Sequence, residues 1–319
     1  MAHELAFRNG KASIAFVGET PWHGLGQELS DGATIETWKS EACMDWDIKE
    51  SPVWFQDEGG MQTYNGSKVL YRSDTKEQLS IVGDQYKIVQ PGEVLEFFRD
   101  LVEMQGMKLN TAGALFGGKR FWALADTGRA AEILGNDRIK GMLLLTTSCD
   151  GTMATTAQFT TVRVVCNNTL SLSLQKDGTK ANRITHRSDF DPKKLKKDMG
   201  LLDNAWGTFM QNVKDLSKTK ISDKASKDFI YNLIARPDTP VGEQPYTVAK
   251  DIEGIMHRAK YGMGSDQAYG TAWGLVNGVT EFVDHESKAR IADRALWASW
   301  FGKGAELKTK AYQAALELI

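Results

Sequence analysis

At 319 residues, 41% of them hydrophobic and 25% charged, the chain can bury a sizeable core and has the make-up of a folded globular protein. A formal charge of −2 excludes a globally basic nucleic-acid binder and leaves that role to a local patch. Three widely spaced cysteines, Cys43, Cys149 and Cys166, exclude a zinc module or a disulfide framework, and no apolar run reaches membrane-spanning length. Met1-Ala2-His3-Glu4 opens no signal peptide, so a reducing, cytoplasmic setting is expected.

The first 30 residues read as irregular, with Pro21-Trp22-His23-Gly24-Leu25-Gly26 as a turn. Thr34 can cap a helix over 33–47, where Ile35, Trp38, Ala42 and Trp46 recur near helical spacing. Alternating runs at Val53-Trp54-Phe55, Val69–Arg72, Leu79–Val82 and Tyr86–Val89, punctuated by Gly and Asp, predict hairpins over 51–90. Pro91 suits the first turn of a helix whose stripe is Val94, Leu95, Phe98, Leu101 and Val102, with Gly106 to end it. Strands resume at Lys108–Gly113 and Arg120–Ala125, around the turn Phe116-Gly117-Gly118-Lys119.

The densest strand signal is 141–174. Three runs are expected there: Met142–Ser148, Met153–Phe159 after the Cys149-Asp150-Gly151 turn, and Thr161–Cys166 closed by Asn167-Asn168. Residues 176–197 then carry eight Lys or Arg against three acids, a local excess of five positive charges. Beyond Pro192 the period becomes helical, beginning with Leu195, Met199, Leu202, Trp206, Phe209, Met210 and Val213. Further helices are expected at about 223–235, 248–260, 265–282, 287–301 and 305–318. The fold class is therefore α+β: an N-terminal antiparallel sheet with hairpins and one or two packed helices, and a mainly helical C-terminal part. The expected domains are 1–190 and 191–319.

Catalytic signatures are weak. The five histidines are isolated, and no HExxH, CxxC or GxSxG occurs. Residues 113–120 lack the Gly-Lys-Ser/Thr ending of a phosphate loop. A metal-dependent nuclease would have to draw on Asp150, Glu281, Asp284 and His285, which share no ligand spacing. No catalytic residue, metal or cofactor is assigned, and the reading leans away from an enzyme. A nucleic-acid surface has better support. Lys119, Arg120, Arg163, Lys180, Arg183 and Arg187 can neutralise phosphates, Asn167 can bond a base or phosphate, and Phe121 or Trp122 can stack bases.

Five stretches resemble the phage- and plasmid-like family catalogued as domain of unknown function 932. They are Trp22-His23-Gly24-Leu25-Gly26, Tyr86–Gln90, Gly117–Arg120, Val162–Leu170 and the segment from Thr271-Ala272-Trp273-Gly274 to Asp284-His285. The resemblance implies a mobile element in a bacterial host and carries no activity with it. The layout of hairpins, a helix and an antiparallel meander also resembles the Rad52-like single-strand annealing proteins, which implies a ring or filament of identical subunits tracking phosphates. The expected function is therefore DNA binding, with single strands favoured, in recombination or replication. The alternative is a counter-defence or regulatory protein that binds a host protein without catalysis, using Trp297 and Trp300 among helices 273–301.

Overall fold

Thr34, Ser222 and Thr271 each precede an amphipathic run, and each accepts a hydrogen bond from the backbone three residues on, which starts a helix. These caps belong to a computed structural model that describes residues 7–8, 10–18, 25–134, 137–163, 168–171, 182–191, 193, 202–286, 298–300 and 302–319. Among the described residues the architecture is α+β, with the strands concentrated before residue 185 and the helices after 201. No described helix is long and apolar enough to cross a membrane.

The strands are β1 Phe7–Arg8, β2 Lys11–Ala12, β3 Ile14–Val17, β4 Gln27–Leu29, β5 Ile48–Asp57, β6 Gly60–Arg72, β7 Gln78–Gly83, β8 Lys108–Leu115, β9 Arg120–Glu132, β10 Arg138–Ser148, β11 Thr155–Arg163, β12 Asn168–Ser171 and β13 Asn182–Ile184. Helices α1 Ile35–Glu41 and α2 Pro91–Gln105 stand among them. The later helices are α3 Leu202–Lys218, α4 Asp223–Ile234, α5 Tyr246–Tyr261, α6 Ala272–Glu281 and α7 Lys303–Leu316. The main sheet has the order β12-β11-β10-β9-β8-β3-β4, with β13 also on β11, and β5-β6-β7 form a separate antiparallel meander.

The chain divides into two units that interleave along the sequence rather than meeting at a single point near residue 190. The first comprises Met1–Gly128, Met142–Gln158 and Ala181–Gly200, and the second Arg129–Gly141, Phe159–Lys180 and Leu201–Ile319. Strands β9, β10 and β11 each belong partly to both.

In the first unit α2 packs on α1 and β8. Its apolar stripe of Val94, Leu95, Phe98 and Leu101 is buried, each side chain contributing about 1.5–3 kcal/mol. Gly106 adopts φ 67° and closes the helix, as its place in the sequence predicts. At the other end Glu93 accepts from the Gln90 N–H, and the Gln90 amide bonds both Ile48 N and Ile48 O, tying α2 to the foot of β5. In the second unit Phe209, Val213 and Leu216 of α3, Trp273 and Val276 of α6, and Tyr312 and Ala315 of α7 form a core with Ile139 and Phe159. A second cluster joins Ile230, Ile255, Leu275, Val279 and Ala311.

Several boundaries differ from expectation. Tyr86–Val89 lies outside any strand, because its partners are a side-chain stack and the loop at 186 rather than a ladder. The runs 153–159 and 161–166 are not two strands: β11 continues through Thr160-Thr161, β-branched residues that offer no turn, and the next strand begins at Asn168. Helix α6 starts at Ala272, not 265, after a short 3₁₀ turn at Ser265–Gln267. Trp46 lies beyond α1, which ends at Glu41. The expected features at Trp22-His23-Gly24, Cys166, Asn167, Lys180 and most of 287–301 lie outside the described residues.

Candidate functional site

The first unit gathers its unusual chemistry around the turn between β8 and β9. Phe116, Gly117 and Gly118 all have positive φ, at 54°, 68° and 94°. A Cβ on Gly118 would lie 2.7 Å from the Trp46 ring and 2.8 Å from the Arg72 guanidinium, so only glycine fits. Arg72 stacks 4.0 Å over Trp46, donates to Gly117 O at 3.1 Å, and binds both Asp74 oxygens at 3.0 and 2.9 Å. That paired fork is the strong form of a charge-assisted contact.

Asp74 is 15% exposed, and its bonds from Arg72 hold its pKa at about 2. A carboxylate depressed in the folded state adds stability above its unfolded pKa and loses it as pH falls through the folded value. The shift corresponds to about 2 kcal/mol at neutral pH. Asp74→Asn should therefore melt at lower urea than the parent at pH 7, with the gap closing between about pH 4 and 2. A gap that persists unchanged at pH 2 would show that shape, not charge, is what Asp74 supplies.

Beyond the turn, the Arg120 guanidinium lies 4.6 Å over the Phe116 ring, 3.8 Å from Asp150, and donates to Thr152 Oγ1 at 3.0 Å. Asp150 in turn accepts from Thr152 N, which shapes the β10–β11 connection. The adjoining residue, Cys149, donates its N–H to Lys119 O at 2.9 Å, and its thiol points at the Gly118 and Lys119 carbonyls. Burial pushes that thiol up to about 12, which disfavours the thiolate at neutral pH.

The other end of the same connection is fixed by His186. Its ring stacks on Tyr86 at 4.4 Å, with Nδ1 2.9 Å from Lys87 O and Nε2 3.0 Å from Met153 O. Both neighbours are carbonyl acceptors, so a neutral ring satisfies one of them and an imidazolium both. Tyr86 OH donates to Ser148 O at 2.8 Å, and burial raises its pKa. Lys87 N donates to His186 O at 2.7 Å. Strand β13 pairs with the start of β11, Thr156 opposite Arg183. Residues 182–188 thus form a strap bearing exposed Arg183 and Arg187 and no acid.

The sequence-predicted residues fall into groups. Lys119 and Arg120 are half-buried at the β8–β9 turn, and Arg183 and Arg187 are exposed on the strap. Lys119 and Arg120 contact the Cys149–Met153 connection directly, and His186 ties the strap that bears Arg183 and Arg187 to Met153. Arg163 lies on β11 opposite Asn168, in the second unit. Asn167 and Lys180 lie outside the described residues. Phe121 and Trp122 require correction as base-stacking residues: they are 0% and 2% exposed, because β9 is buried on both faces there and successive side chains both enter core. Sequence reasoning missed Lys87, exposed and paired at 3.3 Å with exposed Asp189, and the clamp made by Tyr86 and His186. An isolated histidine carries no spacing signal; only its contacts identify it.

The nuclease ligands do not assemble. Glu281 binds Arg258 at 3.2 Å, Asp284 binds Lys308 at 2.7 Å, and Asp150 faces Arg120. Among the described residues no three His, Cys, Asp or Glu side chains could hold a metal ion. Trp273, at the start of the segment expected to bind a host protein, is 3% exposed and donates to Asp137 at 3.3 Å.

These features define an α+β protein with a clamped basic strap. Residues 78–300 match the model of the family described as Domain of unknown function (DUF932), more than half the chain, and the protein belongs to that family. No curated protein and no solved structure matches it.

Proposed function

We propose that the protein binds the phosphate backbone of DNA, with single strands favoured, as part of recombination or replication in a phage or plasmid. One observation carries this reading. His186 ties a strap bearing Arg183 and Arg187 to Lys87 and to the connection that anchors Lys119 and Arg120, so cations from three separate segments belong to one network. Lys87, Lys119, Arg183 and Arg187 neutralise phosphates, Arg120 holds the turn through Asp150 and Thr152, and His186 positions the strap. Phe121 and Trp122 play no stacking role. No cofactor takes part, and the protein works as a homo-oligomer.

The test is fluorescence anisotropy of a labelled single-stranded oligonucleotide, with duplex competitor, at two salt concentrations. About four phosphate contacts on a single strand give a log–log salt slope near −2.8, so a fourfold rise in salt should weaken binding about 50-fold. Arg183→Glu with Arg187→Glu should weaken it by a further factor of ten or more and flatten that slope. His186→Ala should also weaken binding, although it removes no arginine or lysine. Salt-independent binding would overturn the phosphate mechanism. Absence of binding at low salt would overturn DNA recognition and favour a host protein as the partner.

A further inference from the structure

Phe121 and Trp122 are buried, so a preference for single strands has to come from an aromatic side chain that water reaches. Among the described residues the exposed aromatics are Phe7, Trp54, Phe55, Tyr64, Tyr246 and Tyr261. A base stacked on such a ring needs a cation close by for its phosphate. Residues 53–66, which hold Trp54, Phe55 and Tyr64, contain no lysine or arginine. Arg8, next to Phe7, is bound to Asp45 and Asp74. Tyr246 makes no ring contact with a cation among the described residues. Tyr261 does: the Lys260 ammonium lies 5.2 Å from its ring centre.

Tyr261 is the last residue of α5. A Cβ on the following Gly262 would lie 2.3 Å from Glu281 Oε2 and 2.4 Å from the Arg258 carbonyl oxygen, so only glycine closes the helix here and Tyr261 is held at its rim. The tyrosine is 65% exposed, with the His257 ring one turn back at 5.1 Å and tilted by 52°. Lys260 Nζ also lies 5.7 Å from the Tyr269 ring, whose hydroxyl donates to Asp223 Oδ1 at 2.8 Å. The α3–α4 linker runs alongside. Ala272 N donates to Thr219 O at 2.9 Å and Ile221 N to Gly270 O at 3.0 Å, which pairs Lys220 with Thr271. Those contacts draw the linker, Tyr269, Lys260, Tyr261 and His257 into one surface within the second unit.

Charge selects the ligand. Residues 218–224 hold Lys218, Lys220 and Lys224, all exposed, and none of the three is in an ion pair among the described residues. Their one acid, Asp223, accepts the Tyr269 hydroxyl. Arg258 is bound to Glu281 and Glu286 and takes no part. Exposed Glu253 and Asp266, on either side of Tyr261 in the sequence, bond none of these lysines. Cations interleaved with aromatic rings suit an unpaired nucleotide, with its phosphate on the ammonium groups and its base on the ring. A duplex keeps its bases stacked on one another, so the ring adds affinity for single strands alone.

We infer that Tyr261, with Lys220 and Lys260, is a base-stacking subsite that takes an unpaired nucleotide of single-stranded DNA. The subsite rests on the DNA binding proposed above and supplies its preference for single strands. Anisotropy of the full chain with labelled oligo(dT), and with a duplex of the same length, tests this. Tyr261→Ala should weaken oligo(dT) binding about tenfold, within the range for one base–aromatic stack, and leave duplex binding unchanged. Tyr261→Phe should bind as the parent does. Lys220→Glu with Lys260→Glu should weaken oligo(dT) binding by about tenfold or more. Ultraviolet cross-linking of the parent to an oligonucleotide bearing 5-iodouracil should place an adduct on Tyr261, a readout independent of how any variant folds. A Tyr261→Ala variant with the parent's oligo(dT) affinity, or adducts confined to other residues, would overturn the inference and leave phosphate binding by the strap standing. A parent that binds neither oligonucleotide would overturn both.

Discussion

Asp284→Ala should destabilise the second unit by about 3–5 kcal/mol, because it strands a charge that is out of water. Lys308 is 1% exposed, and its ammonium donates to Asp284 Oδ1 at 2.7 Å and to Ser299 Oγ at 3.1 Å. Ser299 donates in turn to the same carboxylate oxygen. Burial draws the Lys308 amine below its ordinary range, and the attraction of Asp284 opposes that shift. Removing the carboxylate leaves burial unopposed, so the amine sheds its proton more readily in the folded state than in the unfolded one. Stability then rises with pH while the unfolded chain holds the extra proton. The deficit of the variant should accordingly shrink between pH 7 and pH 9 in urea melts. Asp284→Leu with Lys308→Met, which removes both charges together, should recover most of the loss. A deficit under about 1 kcal/mol for Asp284→Ala would mean that the pair is solvated after all.

Gly274→Ala should destabilise by about 2–3 kcal/mol, against the usual sign for a helix interior. Glycine costs about 1 kcal/mol relative to alanine within a helix, so the substitution would ordinarily help. Here every residue of α6 is buried, and an added Cβ would lie 2.0 Å from the Ala268 carbonyl oxygen and 2.6 Å from its carbon. Both are backbone atoms of Ala268, whose carbonyl accepts from Thr271, and they cannot swing aside as a side chain would. Gly207 in α3 supplies the comparison, since nothing lies within 4 Å of its added Cβ. Gly207→Ala should stabilise by up to about 1 kcal/mol. Equal effects at the two positions would show that α6 is free to shift, and would remove the steric argument.

The readable parts of the fold were those where one local rule decided the outcome. Helix α2 followed from Pro91, its apolar stripe and Gly106. The β10–β11 turn followed from Asp150-Gly151, with Gly151 at φ 72°. Helices α4, α5 and α7 fell within two residues of expectation at both ends. The failures came where tertiary packing erased the period. From Phe121 to Ala125 and from Met142 to Cys149 every side chain is buried, so no alternation exists to separate core from surface. Aromatic residues there looked available for stacking when both sheet faces were already covered. The 161–166 run looked like a separate strand because its β-branched residues also satisfy the end of β11. The basic residues on the strap were legible as charge, but their clamp was not, since Tyr86 and His186 lie a hundred residues apart and meet only through stacking and two carbonyls.

The interleaving of the two units bears on how the polypeptide emerges from the ribosome. Ile139 and Phe159 are made early, yet the α3, α6 and α7 residues that pack on them come much later in the chain; Asp137 waits for Trp273, 136 positions on. For that interval Ile139 and Phe159 have no lining to enter, while the first unit already possesses most of its own chain. Long-range closure of this kind slows folding and leaves apolar strand ends open to wrong encounters. A nascent chain therefore exposes these apolar side chains until α7 is made, and fragments ended near residue 190 would carry that exposure permanently.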